Sequence, residues 1–129
     1  MTVTIACVTF DCSDALVVAR FWSAAVDRPL DPGATSEFAS IGFAGRRNSQ
    51  GWTAVERKDE PTWIFAKVPE PKMSKNRVHL DLIAPDLEAE IARLVELGAT
   101  RVADRDEYGY TWTLMTDPEG NEFDIGKAL

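Results

Sequence analysis

Asn76-Arg77-Val78-His79-Leu80-Asp81-Leu82 decides the reading of this chain. Its apolar and polar residues alternate with the two-residue period of a strand, and it carries the only histidine. The span from His79 to Asp86 has an echo 72 positions earlier, from Cys7 to Asp14. Both spans cover seven steps, end on Asp and lead into a helical pattern. An internal repeat of this kind bounds the architecture before any single motif does. It also sets Cys7 and His79 at equivalent positions of two halves.

Working outward, residues 3–10 alternate and are rich in β-branched types, which predicts a strand. Asp14 offers a helix N-cap, and Leu16, Val18, Phe21, Trp22, Ala25 and Val26 recur with helical spacing until Pro29, Pro32 and Gly33. Strands are predicted near 36–43, 51–57 and 62–68. Residues 69–76, Pro-Glu-Pro-Lys-Met-Ser-Lys-Asn, form a polar connector. The order then repeats. A strand covers 77–83. A helix follows from about 86 to 97, with Leu87, Ile91, Leu94 and Val95 on one face and Gly98 as its stop. Strands come next near 100–105, 109–116 and 121–126. Asp117-Pro118-Glu119-Gly120-Asn121 reads as a tight turn between the last two. The expected fold class is α+β, two βαβββ modules whose mixed sheets surround a central cleft. Residues 1–129 form one domain, with module 1 at about 1–68, a linker at 69–76 and module 2 at about 77–129.

Composition excludes several function classes. The net charge is −7 and the basic residues are scattered, which argues against nucleic acid or an anionic membrane as partner. No apolar run approaches the roughly 20 residues of a membrane span. The N-terminus lacks the basic and apolar regions of a signal peptide, so a cytoplasmic protein is expected. Cys7 and Cys12 are five apart, on opposite faces of one strand, so a mutual disulfide is not expected.

Three segments carry a resemblance to a known family. They are Thr9-Phe10-Asp11-Cys12-Ser13-Asp14 running to Phe21-Trp22, then Lys75-Asn76-Arg77-Val78-His79-Leu80-Asp81-Leu82, and Asp117-Pro118-Glu119-Gly120-Asn121-Glu122-Phe123-Asp124-Ile125. In this order they resemble the vicinal oxygen chelate superfamily of glyoxalases, bleomycin resistance proteins and dioxygenases. The Val-Pro-Glu-Pro-Lys linker, Val68 to Lys72, is similar to that of its glyoxalase-like branch. The family's metal enzymes draw ligands from the first and last strand of each half. That implies Cys7, Ala66 or Phe65, His79 and Asp124 here.

This set is short of donors. A hard cation prefers oxygen ligands, and Cys7 is a poor partner for it. Zinc on Cys, His and Asp with one open position is chemically allowed. The expected cofactor is therefore none, or a weakly bound divalent metal at His79 and Asp124. Strand alternation places His79 and Asp81 on the cleft side with Val78, Leu80 and Leu82 toward the helix. Cys7 and Thr9 share the cleft side, as does Asp124.

His79 and Asp81 could act as a general base pair, or His79 could simply be satisfied by its neighbours. Cys7 reads equally as a small buried hydrophobe. Trp52 and Trp112 are candidates for lining an apolar pocket, while Trp22 and Trp63 suit the core. The leading expectation is a protein that binds an apolar or aromatic small molecule in the cleft, with His79 and Asp81 as catalytic candidates and Cys7, Thr9, Trp52 and Trp112 as ligand contacts. The alternative is a metal-dependent lyase, isomerase or dioxygenase using His79 and Asp124. A homodimer is the default expectation, since symmetric dimers are the commonest oligomers.

Overall fold

The computed structural model describes residues 3–54 and 59–129. The chain divides into two compact units, Met1–Pro71 and Lys72–Leu129, the division falling inside the 69–76 connector.

In the first unit, β1 (Cys7–Cys12) is followed by α1 (Ala15–Val26) and then by β2 (Phe38–Ile41), β3 (Arg47–Asn48), β4 (Gly51–Trp52) and β5 (Thr62–Lys67). The main sheet has the order β1-β5-β2, with β1 parallel and β2 antiparallel to β5. Leu30 adds a single antiparallel bridge to Ile41 at the far side of β2.

α1 begins where the Asp14 carboxylate accepts the amides of Leu16 and Val17 at 3.1 and 3.2 Å. Such a cap satisfies donors that the first helical turn leaves unpaired. It ends at Asp27, whose left-handed backbone (φ 53) closes the last turn through a bond to Ser23. The buried side of α1 is Ala15, Val18, Ala19, Phe21 and Trp22.

The apolar face of the sheet meets that side through aromatic rings. Phe10 lies 5.0 Å from Phe65, 5.5 Å from Trp63 and 5.7 Å from Trp22, centroid to centroid. Trp22 and Trp63 meet edge to face at 5.4 Å. Phe65 and Trp22 are fully buried, so truncating either to Ala costs about 3–5 kcal/mol. Trp22 and Trp63 are therefore core residues, Trp22 as its helical spacing predicts.

The second unit repeats the plan. β6 (Leu80–Ala84) leads to α2 (Leu87–Leu97), then β7 (Thr100–Glu107), β8 (Tyr110–Thr116) and β9 (Glu122–Lys127). The sheet order is β6-β9-β8-β7, with β6 parallel to β9 and the other pairs antiparallel. Asp86 caps α2 by accepting the Ala89 amide, and Glu88 and Glu90 add negative charge to the first turn, where the helix dipole favours it. Asp14 and Asp86, 72 apart, thus perform the same act in both units. Gly98 ends α2 at φ 121, and a Cβ there would press on Pro118 at 3.3 Å.

Several boundaries differ from the sequence reading. β6 starts at Leu80, not at 77, and Val78 lies outside it, 83% exposed instead of facing the helix. Ile91 and Leu94 anchor α2, whereas Val95 is exposed. In the first unit the strand expected near 51–57 is reduced to Gly51–Trp52, with 55–58 outside the described residues. It pairs with Arg47–Asn48 in a separate two-stranded hairpin inserted between β2 and β5. The fourth sheet position is filled by the Leu30 bridge, too brief to leave any periodicity. The α+β class and the mixed sheets stand.

Candidate functional site

Alternation along each strand separates a helix-packed face from an open face. In the second unit Phe123, Ile125, Thr113 and Met115 are buried against the helix side. Asp81, Asp124 and Leu114 lie in register on the other face, because Asp81 pairs with Asp124 across β6–β9 and Asp124 with Leu114 across β8–β9. Trp112, two residues from Leu114, shares that face and pairs with Arg105 on β7.

His79 stands one residue before β6. Its Nδ1 is 3.5 Å from Asp81 Oδ1 and 3.7 Å from Asp124 Oδ2. These are ion-pair distances, longer than a good hydrogen bond. His79 is one-third exposed, Asp81 largely exposed and Asp124 mostly buried. Burial raises the Asp124 carboxyl above its ordinary value. The His79 charge opposes this, and the hydrogen-bonded Asp81 carboxyl adds to it, with Lys75 a weaker opposing charge. Two carboxyls and an imidazole on one sheet face can hold a proton or a cation between them, or accept from a ligand's donors.

Asp124 owes its position to the turn before β9. The Asp117 carboxylate, 3% exposed, accepts the amides of Glu119 and Asn121 at 2.9 Å and the Asn121 side-chain amide at 3.0 Å. Gly120, at φ 84, lets its own amide reach the Asp117 carbonyl. Glu122, the first residue of β9, ties the connector down. Its carboxylate takes Lys72 Nζ at 2.7 Å and the Asn76 amide at 3.1 Å, while Asn76 Nδ2 donates to Asn121 Oδ1. Burial alone would raise the Glu122 carboxyl, but these partners outweigh it and hold it below its ordinary value. The roles of Lys72, Lys75 and Glu122 escaped the sequence reading. Their lysines look like solvated connector charges until the register brings them to the β9 turn.

In the first unit Cys7 and Thr9 share the open face, with Cys7 Sγ 3.6 Å from Thr9 Oγ1. No disulfide joins Cys7 to Cys12. The register sets Ile64 opposite Thr9 as Asp124 stands opposite Asp81. Ile64, not Ala66 or Phe65, is thus the repeat counterpart of Asp124, and Phe65 is wholly buried in the core. An isoleucine offers no donor. The four-residue set implied by the resemblance therefore does not fit a hard divalent cation. Among the described residues, His79, Asp81 and Asp124 alone bring three ligand atoms within 4.8 Å of one another. Trp52 belongs to the β3–β4 hairpin, edge to face with Phe43 at 5.6 Å and beneath the Arg47 guanidinium at 5.5 Å.

Two β-α-β units, each with its first and last strands parallel and adjacent, define the class of the protein. A family model described as glyoxalase-like domain matches residues 7–126, and the chain belongs to that family. Solved structures of the glyoxalase, bleomycin resistance and dioxygenase superfamily share the fold.

One is a family enzyme from Burkholderia phytofirmans, 14% identical, with a TM-score of 0.67 over 96% of this chain and 98% of that one. A mutant of the fosfomycin resistance protein FosX from Listeria monocytogenes, complexed with Mn(II) and a dihydroxypropylphosphonic acid, is 11% identical. Its TM-score is 0.69 over 97% and 90% of the two chains. The bleomycin-binding protein of Streptomyces verticillus is 12% identical, with a TM-score of 0.60 over 100% and 99%. No curated protein matches the sequence. Among the described residues no helix is long and apolar enough to cross a membrane.

Proposed function

We propose that this chain is a small-molecule-binding protein that takes an apolar or aromatic ligand on the open face of the β6–β9 sheet. One observation carries the reading. His79, Asp81 and Asp124 stand at one end of a surface that continues through Leu114 to Trp112. A ligand would set its apolar body on Leu114 and Trp112 and point a donor at the carboxylates. Pockets commonly combine a mainly apolar lining with a few placed polar groups. Within the first unit, Cys7 and Thr9 on its open face and Trp52 on its hairpin are proposed as ligand contacts of that unit. The bleomycin-binding neighbour makes such a role familiar on this scaffold.

The same trio of donors favours a second reading, a metal-dependent lyase, isomerase or dioxygenase. His79, Asp81 and Asp124 would hold a cation, and the metal would supply Lewis acidity. His79 is then a ligand, whereas in the first reading it is a hydrogen-bonding partner of the ligand.

A thermal-shift screen with aromatic and apolar compounds tests the proposal, since a ligand of the native state alone must raise stability. Hits should stabilise the wild type and lose most of their shift in Trp112→Ala and His79→Ala. Hits whose shift needs added Mn²⁺ or Zn²⁺ would transfer support to the enzyme. The binding reading is lost if His79→Ala unfolds the protein, because His79 would then be structural.

A further inference from the structure

Arg46 closes the turn Phe43-Ala44-Gly45-Arg46. Its amide donates to the Phe43 carbonyl at 3.0 Å, and Gly45 at φ 76 supplies the positive φ that the third position of a type II turn requires. The Arg46 carbonyl accepts both the amide and the hydroxyl of Thr53, at 2.8 and 3.2 Å. The root of the side chain is therefore fixed on both sides. Its far end differs. Nε and Nη2 are buried and find no hydrogen-bond partner among the described residues. Together these atoms form the guanidinium edge that grips two oxygens of a carboxylate or phosphoryl group at once. Buried polar atoms are nearly always paired, and an ionised donor left unpaired in a folded protein calls for an explanation.

The surroundings suggest what would pair it. Phe43 and Trp52 meet edge to face, and the Arg47 guanidinium lies over the Trp52 ring. The turn that Arg46 closes thus begins at Phe43, and the next residue, Arg47, lies on the ring that Phe43 meets. The hairpin carrying Arg47 and Trp52 consists of two residue pairs, Arg47 with Trp52 and Asn48 with Gly51, outside the main sheet. So short a ladder opens at little cost, which gives a ligand a route to the buried edge.

We infer that Arg46 is the anion-gripping residue of a ligand site in the first unit, one that takes a small oxyanion carried on an aromatic ring. The Nε/Nη2 edge binds the carboxylate or phosphonate, Phe43 and Trp52 pack against the ring, and Arg47 adds positive charge. The residues of this site belong to the first unit and those of the His79 face to the second, so each reading can fail without the other.

Titration calorimetry with phenylphosphonate and with benzoate tests the inference, and inorganic phosphate measures the contribution of the ring. The wild type should bind at least one aromatic probe, and more tightly than inorganic phosphate. Arg46→Met should weaken that binding at least tenfold. Arg46→Lys, which keeps the charge but not the fork, should weaken it about fivefold or more. His79→Ala should leave it within twofold. Whichever aromatic probe binds better distinguishes a carboxylate from a phosphonate site.

A second measurement needs no ligand. Removing an unpaired buried edge should leave the melting temperature of Arg46→Met at or above that of the wild type. A fall of more than about 5 °C would show that an acceptor within the chain already holds the fork, and would overturn the inference. It is equally overturned if neither aromatic probe binds at millimolar concentration, if Arg46→Met binds as the wild type does, or if inorganic phosphate binds as tightly as the aromatic probes.

Discussion

Replacing Asp117 by Ala removes a carboxylate that accepts from the Glu119 amide, the Asn121 amide and the Asn121 side chain. A hydrogen bond to a charged acceptor contributes about 1.5–3 kcal/mol, and a donor stranded without a partner costs about 1–3 kcal/mol. Glu119 and Asn121 are only half-buried, so water can recover part of the loss. The expected cost is therefore about 3 kcal/mol, below the sum of three full bonds. In urea, with a slope of about 1.5 kcal/mol per molar, that moves the unfolding midpoint down by about 2 M. Asp117→Asn keeps the oxygen that receives the two backbone amides but turns an NH₂ group toward the Asn121 side-chain donor. About half the cost should remain. Equilibrium unfolding followed by tryptophan fluorescence measures both variants. A midpoint change of less than about 0.5 M for Asp117→Ala would refute the view that this carboxylate organises the turn that positions Asp124.

Three further outcomes are expected. Asp14→Ala should cost about 1–2 kcal/mol and Asp86→Ala about 1 kcal/mol or less in the same assay, since Asp14 receives two helix amides and Asp86 one; the reverse order would count against the capping account. Glu122 is held below its ordinary pKa of 4.5, so it stabilises the fold above that value, and the stabilisation is lost as pH falls through the lower folded value. Lys72→Met should therefore flatten the fall in stability below about pH 4.5, and an unchanged acid limb would remove Lys72 from the account. Purified protein should retain well under one equivalent of transition metal after dialysis, measured by elemental analysis. Near-stoichiometric metal that disappears in His79→Ala would favour the enzyme reading.

The fold was legible because its signals are redundant. Asp14 and Asp86, the helical spacing behind each, and the turn at 117–121 mark the repeat independently, and each does a local job that the structure makes plain. Alternation also placed the open-face residues correctly. Asp81 and Asp124 share a face, and so do Cys7 and Thr9.

What stayed hidden depends on long-range register. Ile64, not Ala66, stands as the counterpart of Asp124, because the hairpin inserted between β2 and β5 breaks the constant offset of the repeat. Leu30, flanked by prolines and glycine, makes only one bridge and so has no period to read. Val78 continues the alternation of its strand in sequence but lies beyond its first ladder pair, where water is available to it. The unpaired edge of Arg46 could not be foreseen at all, since pairing is a property of neighbours brought by the fold.

The capping of two helices by aspartates 72 residues apart, over sheet faces that carry unlike side chains, bears on how the protein can be altered. Foldability rests on one side of each sheet, in Phe10, Trp63, Phe65, Met115, Phe123 and Ile125, and on the caps behind it. The opposite side carries few of those demands. Thr9, Ile64, Leu114 and Trp112 are thus positions where a library of variants can explore new ligands while the helix-packed layer keeps every member folded. Because one chain holds both halves, the two faces can be varied independently, a freedom that an assembly of identical single-unit chains would not have.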